Sequence, residues 1–337
     1  MKNKGCLIIA EAGVNHNGEL DLALELCDAA KKAGADIVKF QTWKTENLIT
    51  RHVDQAEYQI QNTGVAESQF DMLKRLELSY EDFRVIKKHC DDIGIVFAST
   101  ADEPESLDFL VDLGIPFIKV GSGDIGNISF LRYMGTKGLP VVLSTGMSTL
   151  EDVDISIRAL KEGGASDITL LHCTTSYPCP YEDVNLKAMI TLQQTFNLPV
   201  GYSDHTIGTD VAAAAVALGA TIIEKHFTLD CNMKGPDHAA STEPKYFARL
   251  VQTIRNIESC LGSYIKAPTD AEKEIYKVVA KRIVAKKEIH IGDVFSEENI
   301  CIKRSDEGEL ARCWDNIIGK KALKDYDNDE GIEDTLS

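Results

Sequence analysis

The chain has 337 residues, of which 44% are hydrophobic and 26% charged, a composition that supplies a large core and argues against disorder. Its net charge of −17, without any stretch rich in lysine and arginine, excludes nucleic acid and anionic membranes as binding partners. Residues 6–10 form an apolar run too short for a signal peptide or a membrane span, and the nine cysteines contain no CxxC pair, so we expect a cytoplasmic protein with reduced thiols.

Short apolar runs alternate with segments of helical period from residue 6 to about residue 262. Eight such units predict parallel strands with right-handed helical crossovers, closed into a TIM barrel whose functional residues lie at the C-terminal ends of the strands. The predicted strands are 6–11, 37–41, 96–99, 117–120, 141–144, 168–172, 200–203 and 222–226.

The interval between Gln41 and the helix predicted from about Tyr80 is unusually long for a loop in a compact domain. It is polar and rich in amides, as in the segment Tyr58-Gln59-Ile60-Gln61-Asn62. Loops of this length usually have a function, so we predict a lid or substrate loop at the catalytic face.

The pattern changes after Gly262, which we take as the end of the barrel domain, residues 1–262. Residues 263–281 are predicted as a linker, with Ala267-Pro268-Thr269 before a charged helix. Residues 282–337 are predicted as a small β-rich domain, with short runs at 283–285, 289–292, 300–302 and 319–323. A domain of this size is marginally stable alone, so we expect it to dock on another surface.

Polar residues follow or end each predicted strand, where a barrel would bring them together. Lys39 and Lys119 lie inside apolar strands, and a buried lysine is costly unless it is paired. Together with hydroxyls and glycine-containing turns on the same rim, they indicate a site for an anion such as phosphate. The hydroxyls belong to Thr100, Ser122, Ser144 and Ser203.

Two histidines close the last two predicted strands, in Gly201-Tyr202-Ser203-Asp204-His205 and Ile222-Ile223-Glu224-Lys225-His226. A single histidine after a strand is more often a hydrogen-bonded core residue than a metal ligand. Two imidazoles projecting into one cleft make half of a divalent-metal site, and imidazole favours manganese, iron, cobalt or zinc over magnesium.

These strand ends, taken with their neighbours, resemble the sialic acid synthase family over nearly the whole chain. The resemblance implies a TIM barrel followed by an antifreeze-like (SAF, β-clip) domain, with that domain swapped across a homodimer. The motifs that carry it are Ile9-Ala10-Glu11-Ala12-Gly13-Val14-Asn15-His16-Asn17-Gly18, Val38-Lys39-Phe40-Gln41-Thr42, Lys119-Val120-Gly121-Ser122-Gly123-Asp124, Leu143-Ser144-Thr145-Gly146-Met147, Leu171-His172-Cys173-Thr174, Tyr202-Ser203-Asp204-His205-Thr206, Glu224-Lys225-His226-Phe227-Thr228-Leu229-Asp230 and Gly235-Pro236-Asp237-His238-Ala239-Ala240-Ser241.

The resemblance implies a transferase that condenses phosphoenolpyruvate with open-chain N-acetylmannosamine, giving N-acetylneuraminate and phosphate by C–O cleavage. One alternative keeps the reaction and changes the sugar: a legionaminate synthase that uses 2,4-diacetamido-2,4,6-trideoxymannose. The alternative from a different class is a non-catalytic sugar-binding barrel, which the lysine and histidine pairs argue against.

The resemblance also implies roles for individual residues. Manganese, or else magnesium or cobalt, would be bound by His205 and His226, and the catalytic charges would be Glu11, Lys39, Lys119 and Glu224. Arg304 resembles an arginine that the antifreeze-like domain extends to the N-acetyl group in the partner's barrel. The phosphoenolpyruvate pocket would comprise Lys39, Thr100, Lys119, Ser122, Ser144 and Ser203, and the sugar site would comprise Gln41, Asp124, Thr175, Tyr177 and Asp237.

Three departures from the family pattern affect the expected sugar preference. The usual Ser-Thr-Pro-Phe after the third strand is Ser99-Thr100-Ala101-Asp102, and Thr175 stands where some members have asparagine. Arg304 is followed by Ser305-Asp306-Glu307-Gly308 instead of a turn rich in proline and glycine. None of the three removes a predicted metal or phosphate ligand.

Overall fold

The computed structural model describes residues 5–55, 60 and 62–333. It divides into two compact units, one ending at Gly262 and one beginning at Ser263. In the first unit eight parallel strands close into a barrel in chain order, so the TIM barrel prediction is confirmed. The strands are β1 (Leu7–Gly13), β2 (Ile37–Thr42), β3 (Val96–Ala101), β4 (Ile118–Val120), β5 (Val141–Ser144), β6 (Ile168–His172), β7 (Val200–Asp204) and β8 (Ile222–His226).

Pairing between β1 and β8 closes the barrel, with Leu7 opposite Ile222 and Glu11 opposite His226. Helices surround the strands, and local sequence signals set their ends. Ser79 and Thr149 each cap a helix in a reciprocal arrangement with the acid three residues later, which satisfies backbone N–H groups at the helix start. Among the described residues of this unit, the fully described α-helices are Leu20–Lys32, Thr45–Leu48, Gln69–Leu76, Tyr80–Ile93, Pro104–Leu113, Ile128–Gly135, Leu150–Gly163, Ala188–Phe196, Asp210–Ala217 and Pro244–Leu261.

Side chains on a strand point alternately to opposite faces, so each barrel strand has an inner and an outer set. The outer set packs against the helices and forms the large core. The inner set begins with an apolar layer at the N-terminal end of the barrel, which fills the interior there with side chains. This apolar layer consists of Leu7, Ile9, Ile37, Ala98, Phe117, Val142, Leu171 and Ile222.

The long interval after β2 is more structured than the sequence predicts. It contains the helices Thr45–Leu48 and Gln69–Leu76, and the second is capped by Ser68, which accepts a hydrogen bond from the backbone of Asp71. Tyr58, Gln59 and Gln61 of the predicted lid segment lie outside the described residues. Asn62 Nδ2 donates to Pro236 O at 2.7 Å, so part of the interval reaches the loop that follows β8.

The second unit begins with a helix, Asp270–Val279, which Thr269 caps together with Glu272. Strands β9 (Lys281–Ala285) and β10 (Ile300–Arg304) then pair antiparallel, and a short helix follows at Trp314–Ile317. Of the other predicted β runs, 289–292 and 319–323 contribute isolated bridges only, from Ile289 and Lys321. The small core of this unit consists of Ile283, Ala285, Ile289, Phe295, Ile300, Ile317, Ala322, Tyr326 and Ile332.

None of the described helices is both long enough and apolar enough to cross a membrane.

Candidate active site

Above the apolar layer, the next inward-facing residues form a charged layer, which we call the lysine layer. All of its side chains are buried, so bulk water does not solvate its charged groups. Every predicted phosphate ligand except Ser122 belongs to this layer. Its members are Glu11, Lys39, Thr100, Lys119, Ser144, Ser203 and Glu224.

Lys39 is the most heavily paired member of the lysine layer. Its Nζ lies 2.5 Å from Glu11 Oε2 and 3.6 Å from Glu224 Oε2, and it donates to Thr100 Oγ1 at 3.1 Å. The strand register accounts for the first contact, since Glu11 and Lys39 are direct partners across β1 and β2. Gln41 Nε2 donates to the other oxygen of Glu11 at 3.1 Å. The buried lysine that the sequence left unexplained is therefore paired.

Lys119 occupies the opposite side of the same layer. It donates to Ser144 Oγ at 2.8 Å, and its Nζ lies 3.6 Å from Glu224 Oε1. Ser203 Oγ also donates to Glu224 Oε1, at 3.0 Å. Glu224 thus lies between the two lysines, and the layer presents two cations and several hydroxyls to one small volume.

The two carboxyl groups of the lysine layer have pKa values displaced in opposite directions. Burial raises the pKa of Glu11, and the attraction of Lys39 only partly offsets it. Burial also acts on Glu224, but there the attractions of Lys119 and Lys39 outweigh it and hold the pKa below its ordinary value. Carboxyl groups whose environments separate their pKa values in this way are suited to distinct acid and base roles.

One step closer to the mouth lies a second set of inward-facing residues, which we call the histidine layer: Gln41, Asp102, His205 and His226. The imidazole centroids of His205 and His226 are 5.6 Å apart, and the ring of Tyr177 lies 4.3 Å from the first and 5.6 Å from the second. The rings of His205 and His226 therefore lie close together, with the ring of Tyr177 beside both.

Both imidazoles are neutral near pH 7. Burial lowers the pKa of His205, and burial together with the charge of His205 lowers the pKa of His226 to about 3. His205 Nδ1 lies 2.7 Å from Thr174 O, which can only accept, so the proton is on Nδ1 and the lone pair is on Nε2. His226 Nδ1 is buried without a hydrogen-bond partner among the described residues and lies 3.9 Å from Asp237 Oδ2.

This donor set fits a divalent cation. Two neutral imidazoles present free lone pairs, and a buried ring nitrogen without a partner is the kind of orphan atom that a metal ion would satisfy. Within the described residues, no three His, Cys, Asp or Glu side chains are grouped to hold a metal ion. The protein would therefore supply two ligands, His205 and His226, and leave the remaining coordination positions to water and substrate.

Of the predicted sugar-site residues, Gln41 belongs to the histidine layer, and Asp237 and Tyr177 lie beside its histidines. Burial raises the pKa of Asp237 to about 6 and also raises the pKa of Asp124, which accepts from Asn127 Nδ2 at 3.1 Å. Thr175 Oγ1 is shielded from solvent and has no hydrogen-bond partner among the described residues. These polar groups retain unused hydrogen-bonding capacity, as a site for a polyhydroxylated ligand requires.

Ser122 is placed by a close contact that requires glycine. Its Oγ accepts from the backbone N–H of Gly146 at 3.0 Å, and a Cβ on Gly146 would lie 2.7 Å from this oxygen and 2.2 Å from Thr175 Oγ1. Any side chain at this position would therefore displace both hydroxyls.

Asp102, known from the sequence only as part of a departure from the family pattern, is an inward-facing acid. Along β3 the inward positions are Ala98 and Thr100, so strand alternation places Asp102 next in line. Burial, followed by repulsion from Asp124, raises its pKa to about 7. The two-residue spacing from Thr100 is the signal that would have found it.

Arg304 belongs to the second unit, so it is not part of the set that the barrel itself assembles. It lies exposed at the end of β10, opposite Lys281 of β9. Its predicted contact with the sugar remains a prediction.

A parallel barrel with two lysines beneath two neutral histidines, followed by a small β-rich unit, defines a two-domain TIM-barrel protein. The NeuB family profile matches residues 26–266 and the SAF domain profile matches residues 281–334. The chain is 45% identical over 333 residues to N,N'-diacetyllegionaminic acid synthase of Campylobacter jejuni, covering 98% of this chain and 100% of the relative. It is 46% identical over 320 residues to the Legionella pneumophila protein of the same name, covering 94% and 90%.

More distant relatives carry other names. Human N-acetylneuraminate-9-phosphate synthase is 34% identical over 333 residues, covering 98% of this chain and 92% of the relative. A crystal structure of N-acetylneuraminic acid synthetase from Leptospira borgpetersenii matches with a TM-score of 0.72 and 34% identity, covering 81% of this chain and 91% of that one. The chain therefore belongs to the NeuB family, as its motifs predict.

Proposed function

We propose that the protein is a nonulosonic acid synthase that makes N,N'-diacetyllegionaminic acid. In this reaction phosphoenolpyruvate condenses with the open-chain form of 2,4-diacetamido-2,4,6-trideoxymannose, and phosphate is released. The observation that carries the proposal is the pair of relatives named for this product, at 45% and 46% identity over almost the whole chain. The layered site described above has the charges that such a condensation needs.

The lysine layer is the proposed phosphate pocket. Lys39 and Lys119 are buried cations within reach of hydroxyls, and charge-assisted hydrogen bonds from such groups are the strong ones. If both glutamates were ionised, their charges would cancel those of the two lysines. With Glu11 protonated, the lysine layer keeps a net positive charge, which favours the binding of trianionic phosphoenolpyruvate. The raised pKa of Glu11 is consistent with that state.

The proton balance assigns separate tasks to the two glutamates. When C3 of phosphoenolpyruvate bonds to the sugar aldehyde carbon, the aldehyde oxygen must gain a proton, which Glu11 would donate in this proposal. Water then adds at C2 and returns one proton to the ionised Glu11. The C–O bond to phosphate breaks as the remaining hydroxyl proton passes to the departing phosphate, which leaves a ketone at C2. Glu224 stays ionised because of its two lysines, and its charge stabilises the positive charge that develops at C2.

His205 and His226 are the proposed ligands of a divalent cation, which we take to be manganese, because imidazole with oxygen co-ligands suits manganese better than magnesium. The bound cation would supply Lewis-acid polarisation of the sugar aldehyde. The role of the chain is to keep both imidazoles neutral by burial and to fix the tautomer of His205 through the carbonyl of Thr174.

A second candidate keeps every step and uses N-acetylmannosamine, giving N-acetylneuraminate, as expected first from the sequence. The Leptospira relative, at 34% identity, favours it. Its lower identity ranks this candidate below the legionaminate reaction. We also propose a homodimer in which Arg304 of one chain reaches the sugar in the other barrel, as the family resemblance implies.

The deciding experiment measures phosphate release from phosphoenolpyruvate in the presence of manganese, with each aminosugar in parallel. We expect the larger kcat/KM with 2,4-diacetamido-2,4,6-trideoxymannose. A higher value with N-acetylmannosamine would select the second candidate. Absence of phosphate release with both sugars, while each still binds in calorimetry, would support a non-catalytic sugar-binding barrel.

A further inference from the structure

A buried ion pair lies on the outer face of β7 and β8, directly behind the two histidines. Lys225 Nζ is 2.8 Å from Asp204 Oδ2, and the two side chains are 1% and 0% exposed. Each residue immediately precedes one of the histidines in the sequence. Because side chains alternate along a strand, the pair points away from the barrel interior and touches no substrate.

The ion pair also holds the segment that follows Asp204. Lys225 Nζ donates to Thr206 O at 2.8 Å, while Asp204 Oδ1 accepts from Thr206 N at 2.9 Å and from Thr206 Oγ1 at 2.7 Å. Asp204 and Thr206, which flank His205, are therefore both bound to Lys225, which precedes His226.

These contacts of Lys225 lie where the backbone pairing between β7 and β8 ends. The last register pair between β7 and β8 is Asp204 with Lys225, so His205 lies one residue beyond the ladder. Its other anchors are its own contact with Thr174 O and its backbone carbonyl, which accepts from Cys179 N at 2.8 Å. The side-chain pair thus extends the connection between the strands to the position of the histidines.

Stability alone does not account for this pair. Removing two charges from water costs several kcal/mol per ion, which their mutual attraction must offset. Proteins in which a buried ion pair is replaced by well-packed apolar residues of similar volume are often as stable or more stable. The ion pair and its hydrogen bonds to Thr206 instead hold the ends of β7 and β8 in one defined arrangement. Partners behind metal ligands typically change metal affinity about 10- to 100-fold when they are replaced.

We infer that Asp204 and Lys225 are positioning residues that set the separation and orientation of His205 and His226 for a divalent cation. The inference rests on the metal-dependent reaction proposed above. It assigns to two residues outside the binding cavity a role in cation affinity rather than in substrate contact.

The test is the double variant Asp204→Asn/Lys225→Met, which removes both charges together. The asparagine keeps an acceptor for the backbone N–H and hydroxyl of Thr206, so that part of the turn is retained. The variant loses the side-chain connection between the strands, including the bond from Lys225 to Thr206 O. Asp36→Asn/Arg255→Met is the control, since it removes a more exposed ion pair of the same 2.8 Å length near the start of β2, at the opposite end of the barrel, together with the contact of Arg255 to Glu258. Binding of Mn²⁺ to each folded protein is measured by electron paramagnetic resonance and by calorimetry.

We expect Mn²⁺ to bind the double variant about 10- to 100-fold more weakly than wild type, with unchanged affinity in the control. Saturating Mn²⁺ should restore kcat in the double variant, because neither residue touches substrate. Wild-type Mn²⁺ affinity in the folded double variant would overturn the inference while leaving the proposed reaction intact.

An unfolded double variant, or wild type that does not bind Mn²⁺, requires a different reading of the experiment. If circular dichroism shows that the double variant is unfolded, Lys225→Arg is tested in its place. Its bulkier cation is expected to weaken Mn²⁺ binding several-fold, and unchanged affinity would reject the positioning role. If wild type binds no Mn²⁺ by either method, the metal-dependent reaction fails and the inference fails with it.

Discussion

The ammonium group of Lys39 is shared unequally by two carboxyls, with Nζ 2.5 Å from Glu11 and 3.6 Å from Glu224. The nearer carboxyl nevertheless has the raised pKa, because its burial outweighs the attraction of one lysine. Glu224 is equally buried but lies between two lysines, which together reverse the effect. Removing either lysine should therefore disturb the acid-base pair as well as the phosphate pocket.

We predict that Lys39→Met and Lys119→Met each raise the KM for phosphoenolpyruvate by about 10- to 100-fold, because each removes a charge-assisted hydrogen bond to phosphate. The KM for the aminosugar should change far less. Steady-state kinetics with each substrate varied in turn makes the comparison, with Lys161→Met, an exposed lysine of the helix Leu150–Gly163, as control. An unchanged phosphoenolpyruvate KM in both variants would contradict the phosphate assignment.

Chelation should abolish turnover, and added Mn²⁺ should restore it better than Mg²⁺, because imidazole ligands favour manganese over magnesium. His205→Ala and His226→Ala should each lower kcat by several orders of magnitude and leave the circular dichroism spectrum unchanged. Full turnover in exhaustively metal-free wild type would exclude a metal-dependent reaction, and wild-type rates in either variant would exclude these ligands.

Asp102 should make stability depend on pH. Its pKa is raised from 3.8 to about 7 in the folded state, so its contribution to stability is complete below about pH 4 and is lost as the pH rises through 7. Asp102→Asn should therefore be more stable than wild type above pH 7, by about 1–2 kcal/mol once partial exposure is allowed for, and no more stable at low pH.

Denaturant unfolding of Asp102→Asn and wild type between pH 5 and 8.5 checks this dependence. The exposed Asp112 lies at the other end of the next helix, and Asp112→Asn provides the control. A stability difference that stays constant over this range would show that Asp102 has an ordinary pKa.

The proposed swapped homodimer can be tested by mixing subunits. In a swapped dimer each site combines one barrel with the partner's Arg304, so a heterodimer of wild type with Arg304→Ala/His205→Ala has two broken sites. Activity per wild-type chain should fall toward zero as excess double variant is exchanged in. If each site is formed within one chain, the heterodimer keeps one intact site and activity is undiminished after verified exchange.

The eight strands could be predicted because each combines an apolar run with helical segments on either side. All eight predicted strands overlap an observed one, with ends that differ by a few residues at most. The helix Gln69–Leu76 was missed because its buried residues, Phe70, Met72 and Leu76, are separated by charged ones within a long polar interval.

The kinds of side chain in the site could be predicted from the sequence, but the pairs of side chains that contact each other could not. Sequence indicated that a buried lysine needs a partner, but only the register of β1 against β2 identifies Glu11 as the partner of Lys39. The pairing of Asp204 with Lys225 could not be foreseen at all, because the same residues on an uncovered strand face would simply be solvated.

The apolar layer has a kinetic consequence. Side chains such as Phe117 and Leu171 fill the barrel beneath the lysine layer, so among the described residues the interior is filled on that side and the lysine layer faces the C-terminal ends of the strands. A phosphate held by Lys39 and Lys119 lies deeper than a sugar held near His205 and Asp237. Under the proposed reaction, phosphoenolpyruvate must then bind before the sugar, and the order of substrate addition is set by the depth of each layer.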